Sequence, residues 1–394
     1  MGFYDEEDRQ MRDIKDKSLC CGCTACMAVC PHDAVSMKED VLGFRYPVVD
    51  PEKCTGCGLC DDVCDFQSAG GSDIPWGKGI ECFAAVHKDR DVLSSSQSGG
   101  AFTALSDVVL KEGGVVYGAC FNDDFSVSHH RAASAVERDR MRGSKYVQSD
   151  MGDIFRQVRE DLSQGRTVLF AGTPCQVAGL ASYVPAGLKK NLLLLDFVCH
   201  GVPSPAIWKD YVDYMSRKGK LQQVCFRDKS LEGWKIHKES FLYENGRKEI
   251  RETFRVLFYK NIMLRHSCAV CPYHLDNRNA DVTMADFWGV GEVLPAFDGN
   301  EGTSMLISHT DKGRELIKAS SSLETVVVKV DGSFLERKNP NLLRPSKIYK
   351  DRNQFEEEYA EKGFVHVARR WGDMGWRYKA WQMKSMIRRL IGRK

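Results

Sequence analysis

Several features are scarce in this chain, and each absence removes a class of function. No apolar run approaches the ~20 residues of a membrane-spanning helix. The most apolar stretch, residues 192–198, has strand length and contains Asp196. Residues 1–17 (MGFYDEEDRQMRDIKDK) are highly charged and lack the apolar core of a secretory leader, so a cytoplasmic, reducing location is expected. Net charge is also slight: +2 over 394 residues gives no global attraction to nucleic acid or to an acidic surface. The sequence carries no helix-turn-helix pattern and no basic DNA-binding region, so nucleic acid is not an expected partner. Nothing repeats except one doubled cysteine motif.

Cysteine, by contrast, is abundant. There are 16, and nine lie between Cys20 and Cys64. They form two runs, Cys20-x2-Cys23-x2-Cys26-x3-Cys30-Pro31 and Cys54-x2-Cys57-x2-Cys60-x3-Cys64. In this spacing three thiolates hold three corners of a 4Fe-4S cubane, and the fourth cysteine of each run reaches the other cluster. The expected sets are therefore Cys20, Cys23, Cys26 and Cys64 for one cluster, and Cys54, Cys57, Cys60 and Cys30 for the other. Paired zinc sites are the bland alternative, but zinc favours two separated CxxC pairs over three closely spaced cysteines and a fourth. Gly22, Gly56 and Gly58 supply the permissive backbone of the tight turns. Residues 34–37 and 45–49 alternate like a hairpin around 40–43. Asp65 stands where the second run would ordinarily have proline, and Cys21 reads as a bystander beside Cys20.

The fold class expected is an α+β ferredoxin-like module, an α/β body with a partly parallel sheet, and a helical tail. Its boundaries fall at residues 1–70, 80–155, 156–345 and 346–394, with a Gly/Ser/Pro-rich linker over 68–79. Strands are predicted over 81–87, 115–121 and 126–132, a Ser/Gly loop over 94–100, and a helix over 101–111. Residues 167–171 (TVLFA), a GTPCQ loop, a short helix over 177–183 and residues 192–198 give a parallel βαβ unit.

Cys175 follows one of those parallel strands and Cys199 the next. Ligands bind at the carboxyl ends of such strands, where these two cysteines share a crevice. Cys268-x2-Cys271 offers two further thiolates, so a third 4Fe-4S cluster on Cys175, Cys199, Cys268 and Cys271 is expected; buried structural cysteines are the alternative. Cys82, Cys120 and Cys225 lie in strand-like apolar patterns and read as core.

Residues 96–105 (SQSGGAFTAL), 142–149 (RGSKYVQS), 172–180 (GTPCQVAGL) and 196–205 (DFVCHGVPSP), the late CxxC and 285–289 (ADFWG) together resemble the coenzyme F(420) hydrogenase/dehydrogenase beta-subunit family. The resemblance spans residues 18–345. It implies FAD and a 4Fe-4S cluster in the body, with electrons passing between clusters and a hydride acceptor. Because the family includes reductases that do not use the deazaflavin, its name does not fix the substrate.

A dinucleotide needs backbone N–H groups near its phosphates and little side-chain bulk. Ser98, Gly99 and Gly100 before a helix offer both, although a GG pair alone is also a common turn. Gly143, Ser144, Lys145 and Tyr146, with Thr173 and Gln176 of GTPCQ, complete the expected cofactor residues. Lys145 is a candidate to stabilise negative charge on a reduced flavin, Tyr146 to stack on it, and His200 to tune the neighbouring cluster or accept a proton; solvated loop positions are the alternative for each. The resulting expectation is an iron–sulfur flavin-dependent oxidoreductase acting on an organic hydride acceptor, with an electron-transfer relay to another enzyme as the alternative. Its partner would be a ferredoxin or another oxidoreductase.

The tail reads as helical over 355–394. From His366 to Lys394, Arg369, Arg370, Arg377, Lys379, Lys384, Arg388, Arg389, Arg393 and Lys394 face a single acid, Asp373, while Val367, Trp371, Met374, Tyr378 and Trp381 recur at helical steps. Such a helix can lie on a membrane surface, dock a partner or pack on its own domain. Gly372 and Gly375 interrupt the pattern.

Overall fold

The computed structural model describes residues 14, 16–68, 81–376, 378, 380 and 383. The expected linker lies, from residue 69 on, outside the described residues, as do Arg377, Lys379, Trp381, Lys384 and the other basic residues that end the tail.

In the N-terminal module, helix α1 (Ala25–Val29) precedes a hairpin of β1 (Val35–Glu39) and β2 (Arg45–Val49), paired antiparallel with Val35 opposite Val49. Asp40 shapes the hairpin turn by accepting from the Leu42 and Phe44 N–H groups, both at 3.0 Å. The turn then plugs into the body. Leu42 and Phe44 are buried in the same apolar cluster as Trp208, and the Leu42 carbonyl accepts from the Ala206 N–H (3.0 Å) and the Ser204 hydroxyl (2.6 Å).

The body alternates strands and helices: β3 (Glu81–His87), α2 (Ala101–Lys111), β4 (Val115–Phe121), β5 (Val127–Ala132), α3 (Ile154–Ser163), β6 (Val168–Ala171), α4 (Pro174–Tyr183) and β7 (Leu192–Phe197). Next come α5 (Pro205–Ser216), β8 (Leu221–Cys225), β9 (Glu239–Tyr243), β10 (Lys248–Arg251), β11 (Val282–Asp286), β12 (Ser304–Ser308), α6 (Asp311–Ala319), β13 (Leu323–Val327) and α7 (Arg352–Arg370).

Eight strands form one mixed sheet in the order β13-β3-β12-β11-β7-β6-β4-β5. Its centre, β4-β6-β7-β11, is parallel, and both flanks are antiparallel. Helices cover both faces, which is why β6 and β7 read as continuous apolar runs. Phe155, Val158 and Leu180 pack over one face, Leu105, Val109 and Leu316 over the other. Antiparallel β10-β9-β8 forms a second sheet beside an aromatic core that includes Trp208, Phe226, Phe241 and Phe254.

Local capping explains where the elements depart from expectation. A short helix, Arg90–Ser95, replaces part of the loop expected over 94–100, because the Asp89 carboxylate caps its first turn. Helix α4 starts three residues earlier than expected, with Pro174 at its first position. Tail helix α7 begins at Arg352, kinks at Gly363 (φ 70°) and ends at Arg370. Val367, Trp371 and Met374 pack on the body's own core, and the Trp371 indole donates to Glu358 at 3.0 Å. No helix among the described residues is long and apolar enough to cross a membrane.

Asp196 in mid-β7 is fully buried, paired with Arg278 at 2.9 Å and accepting from the Thr283 hydroxyl at 2.6 Å. Removing one partner of a buried pair strands the other charge. Asp196→Ala should therefore cost about 3–5 kcal/mol in denaturant unfolding, whereas a value below about 1 kcal/mol, typical of an exposed pair, would contradict this packing.

Candidate functional site

The cysteines surround three separate cavities. One is lined by Cys20, Cys23, Cys26 and Cys64. The second is lined by Cys30, Cys54, Cys57 and Cys60, so the fourth cysteine of each run crosses to the other run's site. The third, at the carboxyl ends of β6 and β7, is lined by Cys175, Cys199, Cys268 and Cys271. The turns behave as the glycines require, with φ of 73° at Gly22, 69° at Gly56 and 76° at Gly58. Asp65, in place of proline, accepts from the Tyr273 hydroxyl at 2.8 Å and ties the second run to the body.

Cys21 is not a bystander. It is 4% exposed and lines both the first and the third cavities. Its sulfur lies beside those of Cys175 and Cys23, whose proximity pushes its pKa up, while Cys21 draws theirs down, Cys175 to about 7.

Burial raises the other third-cavity thiols, Cys268 to about 11 and Cys271 to about 12, with Cys199 also pushed well up. Buried sulfurs like these hold charge at low cost only when cations accompany them. An all-sulfur set of four suits iron–sulfur chemistry.

A much larger cavity, about 480 Å³, opens at the carboxyl ends of the parallel strands. Cys199, His200, Gly201 and Val202 line both it and the third sulfur cavity, so one short segment forms the wall between them. Ser98, Gly100, Gly143, Ser144, Lys145 and Tyr146 also line it, as do Thr173 and Gln176. Helix α2 begins there at Gly100 (φ 78°) without a side-chain cap, so the N–H groups of its first turn face the cavity.

Several of these residues make contacts of their own besides lining the cavity, and Gly99 does not line it. Gly99 faces away from the cavity: a Cβ there would stand 2.2 Å from the Ala85 carbonyl oxygen and 2.6 Å from the Ser304 nitrogen. Its missing side chain allows the loop to lie on β3 and β12, not a phosphate to approach. Lys145 Nζ donates to the Arg140, Met141 and Arg142 carbonyls at 3.2, 2.8 and 3.1 Å, and burial lowers its pKa to about 8. That ammonium closes its own loop. The Tyr146 ring packs against His237 and Phe258, with centroids 4.7 and 5.2 Å apart. Both nitrogens of His200 are occupied, by the Asn261 Oδ1 at 2.6 Å and the Asn341 Oδ1 at 3.1 Å. Gln176 Oε1 accepts from the Thr173 N–H (2.9 Å) and hydroxyl (3.0 Å), which explains GTPCQ as a helix start that aims Cys175 at the sulfur site.

His129, Arg227 and Trp288 also line the cavity, and sequence reasoning assigned none of them a role. His129 donates from Nε2 to the Ala171 carbonyl (3.0 Å) and accepts at Nδ1 from the Ser149 hydroxyl (2.8 Å). Burial lowers its pKa to about 4, so it is a neutral wall residue at neutral pH. Arg227 pairs with Asp286 at 2.6 Å.

The two glycines invite a direct comparison. Gly143 has φ 82° and open space where a Cβ would go. Gly143→Ala should cost about 1 kcal/mol for its backbone conformation alone, whereas Gly99→Ala meets backbone on two strands and should cost about 3 kcal/mol or more. Equal unfolding midpoints for the two variants would contradict this placement.

Residues 165–330 match the family model for the C terminus of the coenzyme F420 hydrogenase/dehydrogenase beta subunit, and residues 19–68 match the 4Fe-4S dicluster domain. The F subunit of the F(420)H(2) dehydrogenase of Methanosarcina mazei is 23% identical over 195 residues, 47% of this chain and 54% of that protein. The PorD subunit of the pyruvate synthase of Thermotoga maritima is 38% identical over 61 residues, 15% of this chain and 57% of that protein. The chain thus spans little more than half the length of either relative. A chain in the F420-reducing NiFe hydrogenase complex of Methanosarcina barkeri is 20% identical, with 71% of this chain and 92% of that one covered and a TM-score of 0.46.

Proposed function

Since this chain joins a 4Fe-4S dicluster domain to a domain of the coenzyme F420 hydrogenase/dehydrogenase beta-subunit family, we propose that it is an iron–sulfur flavoprotein oxidoreductase. It would take single electrons at its outer sulfur site and deliver them in pairs to an organic hydride acceptor or a deazaflavin-like coenzyme. When bound, the clusters would carry one electron at a time and FAD would exchange these for the two of a hydride.

One observation carries the reading: the four cavities are ordered. Cys57 in the second cavity is exposed, which makes that site the point of entry. The second cavity shares the dicluster fold with the first, Cys21 lies between the first and the third, and Cys199–Val202 separate the third from the large one. At about 480 Å³ the large cavity lies within the range of cofactor and ligand sites. Helix α2 would face the FAD phosphates with the N–H groups of Ala101, Phe102 and Thr103, and Gly143 and Ser144 would add backbone next to Arg142, whose Nε donates to the Thr103 hydroxyl at 3.3 Å. Cys199 would hold iron on one side of the shared wall, while His200, pinned by Asn261 and Asn341, would keep that wall rigid.

A relay reading, with the final acceptor on a partner enzyme, draws support from the relatives, which are named as subunits. Anaerobic purification and assay separate the two. The enzyme reading expects about twelve iron atoms, in three four-iron clusters, and one FAD released by heat. It also expects turnover of a hydride acceptor by the isolated protein with a one-electron donor. A flavin-free protein with full iron would leave the relay reading alone, and stoichiometric zinc without acid-labile sulfide would contradict both.

A further inference from the structure

Arg265 precedes the late CxxC pair and is only 1% exposed. Its Nε donates to the Cys20 carbonyl at 2.8 Å, and Nη2 donates to the Arg45 carbonyl at 2.8 Å and reaches Cys20 Sγ at 3.6 Å. Nη1 donates to Gln148 Oε1 at 3.0 Å, and the guanidinium lies over the Tyr46 ring, 4.2 Å from its centroid. Gly22 admits this side chain, because a Cβ there would stand 2.9 Å from Nη1. Gln148 completes the clamp by donating from Nε2 to the Cys21 carbonyl at 2.9 Å.

Two other arginines line the third cavity, and each has a carboxylate: Arg278 pairs with Asp196 and Arg344 with Glu336, both at 2.9 Å. Among the described residues Arg265 forms no such pair, and its oxygen acceptors are neutral amides. A guanidinium does not shed its proton, and a buried unpaired charge costs several kcal/mol. The sulfur of Cys20, 3.6 Å from Nη2, can carry the opposite charge, and Arg265 also lines the cavity that holds Cys268.

Resting on the function proposed above, we propose that Arg265 is a positioning residue with an electrostatic task. It is the fixed counter-charge of the iron–sulfur site on Cys20, Cys23, Cys26 and Cys64, and it holds the Cys20–Gly22 turn against the third cavity. Adding an electron to that site adds negative charge beside a cation, so Arg265 raises its reduction potential relative to the outer site of the module. Electrons entering at the exposed site are thereby drawn inward.

The test is an EPR-monitored redox titration of the full-length, anaerobically purified protein, with dithionite as reductant and the signal perturbed by Cys20→Ser marking the relevant site. Arg265→Gln should shift that midpoint most, to a more negative potential, shift the third-cavity site less, and leave the outer site in place at unchanged iron content. Arg265→Lys keeps the charge and should shift it less. Gln148→Glu sets a carboxylate against Nη1 and should shift the same midpoint in the same direction, which decides the matter should Arg265→Gln fail to fold. Unmoved midpoints in the iron-replete variants would overturn the proposal while leaving the wild-type cluster count, and with it the broader function, untouched. A uniform shift of every midpoint would overturn it as well.

Discussion

The turn Cys20–Cys21–Gly22 is the constraint on which the arrangement depends. Its first residue lines the module's inner sulfur cavity, its second lines that cavity and the body's own, and its third makes room for the arginine that fixes both. A one-residue slip would turn Cys21 away from Cys175 and part the two sites. The module is therefore bound to the body elsewhere as well. Leu42 and Phe44 enter the body's core, and Arg156 reaches back to the Met27 and Ala28 carbonyls (3.1 Å each) and to Asp33 at 2.7 Å. A module that merely tethered its clusters would need none of these contacts.

The sequence exposed whatever is encoded locally. Cysteine spacing within a dozen residues shows how a sulfur site closes, and the apolar runs at 168–171 and 192–197 mark a doubly covered parallel sheet. The crossing of Cys30 and Cys64 followed from the same spacing. The last three strands of the sheet were harder to see. Val282–Asp286, Ser304–Ser308 and Leu323–Val327 are five residues each, and β11 pairs with β7 and both β12 and β13 with β3, strands far back in the chain. Periodicity over so few residues does not separate strand from loop.

Side-chain roles were less legible than positions. Gly99 and Lys145 stand in the motifs that led to the cavity, yet one lies against two strands and the other closes a loop. Motifs of this kind mix residues that touch a ligand with residues that shape the backbone around it, and only tertiary contacts tell them apart. Arg265 shows the reverse case: nothing in the string RHSCAVC sets it aside, and its meaning comes from the absence of a carboxylate partner among the described residues and from a turn 245 residues away.

Ordered access is the claim most open to a direct measurement. Stopped-flow absorbance can follow flavin reduction in wild type and in Cys57→Ala, which lacks a sulfur of the exposed site, with two donors in turn: a reduced ferredoxin-type carrier protein and a small hydride donor. The carrier is too large to enter a 480 Å³ cavity and must deliver at the surface. The account predicts that Cys57→Ala loses rapid flavin reduction by the carrier and keeps it with the hydride donor. Undiminished reduction by the carrier in that variant would contradict it.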